Sequence, residues 1–196
     1  MIVRPATPQD LAAIRRLEEQ TDSAAHWSEH DYAVLFQPGA LPRVVLLAAI
    51  SESEELGEGF HGTGNESPAL DYTQQEHINS GGQELVQHGA HIVGFVVVSC
   101  ATDEWELENI VVSAEHRRQG VASRLLEGVV ARARADEGSA VLLEVRASNV
   151  AARRLYEMLG FQQDGYRRAY YRNPREDAFL FRLPVTKVLQ NRDKNS

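Results

Sequence analysis

The chain has 196 residues, 43% apolar and 24% charged, with 20 Lys and Arg against 28 Asp and Glu, for a formal net charge of −8. These totals fit one globular domain long enough to bury a core, and no apolar run approaches the ~20 residues that span a bilayer. The start Met1-Ile-Val-Arg-Pro5 has no apolar leader segment, and the lone Cys100 excludes an intrachain disulfide and a Cys-based metal site. A cytoplasmic, non-membrane protein is therefore expected.

Taken in order, Ile2 to Arg4 is a short strand candidate. Thr7-Pro8-Gln9-Asp10 then starts a helix, with Thr7 as N-cap, Pro8 in the first turn and Asp10 completing a capping-box pair. Leu11, Ile14 and Leu17 form its apolar stripe, which ends near Thr21. Ser28-Glu29-His30-Asp31 opens a second helix with Tyr32, Leu35 and Phe36 on its apolar face, and Pro38-Gly39 closes it. Arg43 to Ile50 is apolar enough for a strand covered on both faces.

Residues 51–90 break this pattern. They hold eight acids, no Lys or Arg, and seven of the 14 glycines, so outside them the remaining acids and bases balance. Such a stretch buries too little surface to offset its ordering entropy, and it reads as a disordered insertion in a strand-to-strand connection. It is either a solvated loop with no role or an acidic guide for a basic partner. His91 resumes a strand through Ser99, in whose apolar run Cys100 reads as a small buried hydrophobe rather than a nucleophile.

After a turn at Asp103-Glu104, residues 106–112 form a strand and Val121, Leu125, Leu126, Val129, Val130 and Ala133 mark one face of a helix. Ala140 to Arg146 is the next strand, and Asn149 caps a helix carrying Ala152, Leu155, Tyr156 and Leu159 on one side, closed by Gly160. Two antiparallel strands follow, near 161–170 and 176–183, around Arg172-Asn-Pro-Arg175, and 184–196 is a polar tail. The order β-α-α-β-β-β-α-β-α-β-β gives an α/β fold with one mixed sheet and helices on both faces. Residues 1–183 are read as a single domain interrupted by 51–90.

The informative stretch is the turn between the strand at 106–112 and its helix. Arg117 to Ala122 carries little bulk around Gly120, so unpaired backbone N–H groups and the positive helix end converge on one point. That is a phosphate site. Neither G-x-x-x-x-G-K-[ST] nor G-x-G-x-x-G is present. The pattern is Arg117-x-x-Gly120-x-Ala122, which resembles the pyrophosphate loop of the GNAT acetyltransferases.

Further downstream, Leu143-Glu-Val-Arg-Ala-Ser-Asn149, Leu155-Tyr-Glu157, Leu159-Gly-Phe161, Tyr170-Tyr171 and Arg175-Glu-Asp-Ala178 resemble the RimI type within that family, and also the catalytic subunits of eukaryotic N-terminal acetyltransferases. The resemblance is close over 91–183, loose over 1–50 and absent over 51–90. It implies an acyl-CoA N-acyltransferase fold whose strands 106–112 and 140–146 splay apart to admit acetyl-CoA.

The pyrophosphate would then meet Arg117, Arg118, Gln119, Gly120, Val121, Ala122 and Ser123. The pantetheine arm would run along Ile110, Val111 and Val112, and Asn149 and Tyr156 would also meet the coenzyme. Trp27, Glu108, Asn109, Glu144, Tyr170 and Tyr171 are the implied acceptor contacts, with Glu176 and Asp177 beside the same groove. Trp27-Ser28-Glu29 matches the acceptor loop of the RimI type, although Ala25-His26 replaces its Phe-Pro.

Acyl transfer to an amine needs a base, a polarised carbonyl and an acid for the leaving thiolate. Glu144 lies in the apolar run Val141 to Val145, where burial would raise its pKa and suit it as the base, acting directly or through a water. The resemblance places the base there and the acid at Tyr156. Glu144 could instead face solvent at a strand edge, and Tyr156 could simply pack in the core.

No metal is expected, since His26 and His30 lack a third ligand. Arg117, Arg118 and Arg124 are assigned to a coenzyme phosphate rather than to nucleic acid. The implied activity is N-α-acetylation of a protein N-terminus, in this type a ribosomal and so basic protein, by a monomer or weak dimer. A lysine or small amine as acceptor, or a module that binds acetyl-CoA without turnover, are the alternatives.

Overall fold

The computed structural model describes residues 1–21, 27–37, 42–51 and 90–185. The proposed insertion therefore lies almost wholly outside the described residues, as do His26 and most of the tail. Among the described residues eleven elements follow the expected order: β1 (Ile2–Pro5), α1 (Leu11–Glu19), α2 (Glu29–Val34), β2 (Arg43–Ser51), β3 (Ala90–Ser99), β4 (Glu104–Val112), α3 (Val121–Ala135), β5 (Ala140–Arg146), α4 (Val150–Met158), β6 (Gln162–Arg172) and β7 (Arg175–Pro184). Short 3-10 turns at Pro8–Asp10 and Ala114–His116 precede α1 and α3.

Local chemistry sets the helix starts. The Thr7 N–H donates to Asp10 Oδ2 at 2.8 Å, and the Ser28 N–H donates to Asp31 Oδ2 at 2.9 Å, both in capping boxes. Asn149 accepts from the Ala152 N–H at 3.1 Å. The second helix is shorter than its apolar spacing suggests: it ends at Val34, and Leu35 closes it through a tighter bond to the Tyr32 carbonyl. Leu35 is still buried; Pro38 and Gly39 lie outside the described residues.

The strands form one seven-stranded sheet in the order β1-β2-β3-β4-β5-β7-β6. All neighbours are antiparallel except β4 and β5, the pair joined by the α3 crossover. Two cores follow from the alternation of side chains along the strands. On one face Leu125, Leu126, Val129 and Ala133 of α3 and Tyr156 of α4 pack on Val96, Val98, Val141 and Leu143. On the other, Ile14, Leu17 and Tyr32 of α1 and α2 pack on Val45, Leu47, Phe95 and Val97. Each fully buried aliphatic side chain stabilises the fold by about 1.5–3 kcal/mol.

Gly94 lets α3 approach β3: a Cβ there would lie 3.0 Å from both the Val111 carbonyl and Val121 Cγ1. Cys100 is only partly buried at the end of β3. Its thiol lies 3.3 Å from the Pro42 carbonyl, and desolvation pushes its pKa up. It is thus less enclosed than the apolar run suggests, because the strand ends at Ser99. No helix of the described residues is long and apolar enough to cross a membrane.

Candidate active site

The site begins where the parallel pair comes apart. β4 and β5 are in register from Glu104↔Ala140 to Leu107↔Leu143 and no further, although β4 continues to Val112 and β5 to Arg146. Beyond Leu107 the β5-facing edge of β4 has no strand partner among the described residues. Ile110, Val111 and Val112 run along that open edge, which can pair with an extended ligand as a further strand would. Val111 points its side chain into the α1/α2 core and its carbonyl toward β3, so the open edge is offered by its neighbours Ile110 and Val112.

At the far end of β4 the chain turns through Ala114–His116 into α3. Gly120 is the N-cap with φ +80°, no side chain caps the helix, and a Cβ at Gly120 would meet nothing within 4 Å. Arg118, at φ 61°, shares this left-handed turn. The turn is braced from within: Arg117 Nε donates to the Val112 carbonyl at 3.3 Å, and Gln119 Nε2 donates to the Glu115 carbonyl at 2.8 Å. Val121 is buried against β3, while Ala122 and Ser123 lie on the half-exposed first turn. Open space before the N-terminus of a 15-residue helix, with two exposed arginines beside it, fits a pyrophosphate.

Glu144 is the first residue of β5 past the last paired position. It faces the α1/α2 side, since Val141, Leu143 and Val145 turn to the opposite core. The apolar run does not isolate it. Arg167 Nη1 lies 2.5 Å from Glu144 Oε1, so the carboxylate is ion-paired at the rim of the splay instead of buried among aliphatics. Arg167 also lies over the Tyr170 ring, 5.2 Å from its centroid, and Arg146 lies 4.0 Å over that of Tyr171. The Tyr170 phenol is pushed up chiefly by the Glu144 carboxylate; the Tyr171 phenol is raised by burial and then by Glu144.

Tyr156 lies on the other face. It is 4% exposed, with ring centroids 5.7 Å from Phe161 and 6.1 Å from Phe181. Phe181 is the β7 partner of Leu143, which sets Tyr156 at the level where the strands part. Burial, then the nearby Tyr171, pushes its phenol well up and keeps it protonated.

The other expected acceptor residues form a second group. Trp27 lies 5.8 Å from the Tyr32 ring and beneath Arg43, whose Nε is 2.7 Å from Glu108 Oε2. Asn109 is 6% exposed and donates from Nδ2 to Glu18 Oε1 at 2.9 Å. Strand alternation would send Glu108 and Asn109 to opposite faces. A bulge opposite Val97 and Val98 brings both to the α1/α2 side.

Glu176 and Asp177 are occupied in holding the hairpin. Glu176 accepts from the Ser148 N–H at 2.5 Å and from Arg146 at 3.2 Å; Asp177 accepts from the Ala169 N–H at 2.6 Å and from the Tyr166 hydroxyl. These bonds hold both carboxyls below their usual range, and both line an open cleft of about 460 Å³ with Arg168 and Arg175.

Two residues of this region were not anticipated. Glu18 gave no signal, being a charged residue in an amphipathic helix. Arg167 lay in a strand rich in arginine, where no local pattern marks which one meets Glu144. Among the described residues no three metal-ligating side chains gather.

A parallel pair that opens beside an uncapped helix start has room for an extended, phosphate-bearing ligand between its two strands. The chain belongs to the acetyltransferase (GNAT) family, whose profile matches residues 50–161, and it is an N-acetyltransferase. Over 105 residues it is 39% identical to the ribosomal protein bS18-alanine N-acetyltransferase of Escherichia coli, an alignment that takes in 53% of this chain and 70% of that protein. The crystal structure of the Escherichia coli enzyme superposes with a TM-score of 0.65 at 26% identity, covering 97% of both chains. NAA60 of Arabidopsis thaliana in complex with acetyl-CoA shares the fold, with a TM-score of 0.66 at 16% identity, 94% of this chain and 98% of that one.

Proposed function

We propose that this enzyme transfers the acetyl group of acetyl-CoA to the N-terminal amine of a protein, and that the acceptor is a ribosomal protein. The observation that carries this reading is the position of Glu144, one residue past the last β4–β5 pair and on the acceptor side of the sheet. The likeness to the Escherichia coli ribosomal-protein acetyltransferase supports the choice of acceptor. A ribosomal acceptor in turn implies the cytoplasm. Residues 1–183 are taken as one domain, with 51–90 as an insertion in it.

Acetyl-CoA supplies the activated acyl carbon and a thiolate leaving group. The Arg117–Ser123 turn holds its pyrophosphate, with Arg117 and Arg118 matching the charge. Ile110 and Val112 pair their backbones with the pantetheine amides, and Asn149 adds a contact from the α4 start. Glu144 takes the proton that the acceptor ammonium must lose before its nitrogen can form the new bond to the acyl carbon. Tyr156, from the opposite face, gives its phenolic proton to the departing sulfur as the carbon–sulfur bond breaks; the nitrogen sheds its second proton to solvent as the amide forms, and Tyr156 regains one from solvent. Trp27, Glu108, Asn109, Tyr170 and Tyr171 border the acceptor's approach.

Coenzyme A release with acetyl-CoA and peptides bearing a free N-terminal Ala, Ser or Met tests this reading. Each peptide is run beside an N-blocked, lysine-containing twin and a polyamine. Turnover on free N-termini alone, reduced about 10²-fold or more in both Glu144→Gln and Tyr156→Phe, is the expected result. Turnover on lysine or polyamine alone overturns the acceptor; tight coenzyme binding without turnover overturns the enzyme reading.

A further inference from the structure

The most enclosed charged side chain among the described residues is Glu18, near the C-terminal end of α1 and 3% exposed. Its placement is unfavourable twice over. A carboxylate there opposes the negative end of the helix dipole, and burying it costs solvation, with no ion pair to it among the described residues. A packed apolar residue would fill the same space at lower cost. A charge kept in such a place is explained by what it holds.

Glu18 holds two things. Its Oε1 accepts from Asn109 Nδ2 at 2.9 Å, and both of its oxygens lie near the Trp27 N–H, at 3.3 and 3.2 Å. Asn109 is on β4 just past Leu107, where the open edge begins. Trp27 immediately precedes the Ser28 cap of α2, and its ring carries Arg43 and through it Glu108. The Tyr32 hydroxyl is buried against the same point. The phenol is pushed well up by burial and then by Glu18, although its hydroxyl completes no hydrogen bond of ordinary geometry.

We propose that Glu18 is a positioning residue for the acceptor: its buried carboxylate ties Trp27 at the α2 start to Asn109 at the mouth of the splay, fixing the width of the channel the acceptor must enter. Glu18 acts through these two residues and does not touch the reacting atoms. The inference rests on the reading above that the acceptor approaches over the α1/α2 face.

The test uses the full chain with Glu18→Asp and Glu18→Gln, measuring kcat, the KM of each substrate and the exchange rate of the Trp27 amide. Aspartate is one methylene too short to reach both partners. It is expected to raise the acceptor KM about tenfold, the effect of weakening hydrogen bonds to a charged group, with the acetyl-CoA KM unchanged and the Trp27 amide exchanging faster. Glutamine keeps one acceptor oxygen at full reach but loses the charge and the second acceptor, so it is expected to raise the acceptor KM less than aspartate does.

Faster exchange at Trp27 with no change in acceptor KM overturns the proposal, leaving Glu18 a brace alone. Loss of kcat in Glu18→Gln with acceptor KM unchanged also overturns it, since charge rather than reach would then matter. If Glu18→Asp does not fold, Glu18→Gln carries the test: an acceptor KM that stays at the wild-type value while the Trp27 amide exchanges faster overturns the proposal. If the wild type acetylates only non-peptide amines, the acceptor reading fails by itself, and the split is read on the amine it does use.

Discussion

Arg167 sits 2.5 Å from Glu144, so the carboxylate assigned to deprotonate the acceptor already holds a cation. An acceptor ammonium must compete for that carboxylate. Replacing Arg167 by Ala is expected to lower the KM for a peptide acceptor several-fold at low salt, with the difference shrinking as ionic strength rises. Because Arg167 is half exposed, folding stability should change by no more than about 0.5 kcal/mol in urea titrations. A higher KM in Arg167→Ala would mean that the guanidinium orients Glu144 and does not compete.

Tyr156 is enclosed between Phe161 and Phe181, and burial raises its phenol above the ordinary 10.0. The raised value means that the folded chain keeps this proton where the unfolded chain loses it. Its contribution to stability is therefore fully present below about pH 10 and is lost as pH rises through the folded value. Alkaline unfolding curves should show wild-type stability falling above pH 10 more steeply than that of Tyr156→Phe.

Asp10 shows the opposite sign. Its carboxyl is held down to about 2 chiefly by hydrogen bonding to Arg4; burial, the next largest effect, opposes this, and the Thr7 N–H and hydroxyl add to the lowering. The stability this group adds is present above about pH 4 and lost as pH falls toward 2. Acid unfolding of Asp10→Asn is expected to be flatter than wild type in that window, with the two curves offset at neutral pH.

Two glycines separate backbone from packing. At Gly120 a Cβ has open space but φ is +80°, so Gly120→Ala is expected to cost about 1 kcal/mol of stability and to raise the acetyl-CoA KM as the turn distorts. At Gly94 a Cβ would press on the Val111 carbonyl and Val121, and Gly94→Ala should cost about 1–3 kcal/mol by forcing α3 away from β3. Thermal unfolding and coenzyme titration of the pair would show whether these two effects separate.

The elements and their order were legible because each is written locally. Caps at Thr7, Ser28 and Asn149, glycine at 120 and 160, and apolar spacing of 2 or 3.6 residues act within a few positions of one another. The Arg117–Ala122 turn belongs to the same class: a strand, a left-handed glycine and a helix start are contiguous, so sequence alone was enough to propose the turn as a phosphate site. The Glu144 and Tyr156 positions came with the likeness of the segment around them.

What the chain's own order could not express is where strands stop pairing and which distant charges meet. The splay depends on β4 and β5 losing register at Leu107 and Leu143, 36 residues apart in sequence. A bulge opposite β3 turns both Glu108 and Asn109 to one face, against strict alternation. Glu144 finds Arg167, and Glu18 finds Asn109 across 91 residues, through contacts that exist only once the sheet has assembled. Sequence determined which groups were available and where each element begins. Tertiary structure decided their neighbours, and electrostatics and hydrogen bonding act on neighbours within a few ångströms regardless of how far apart they lie along the chain.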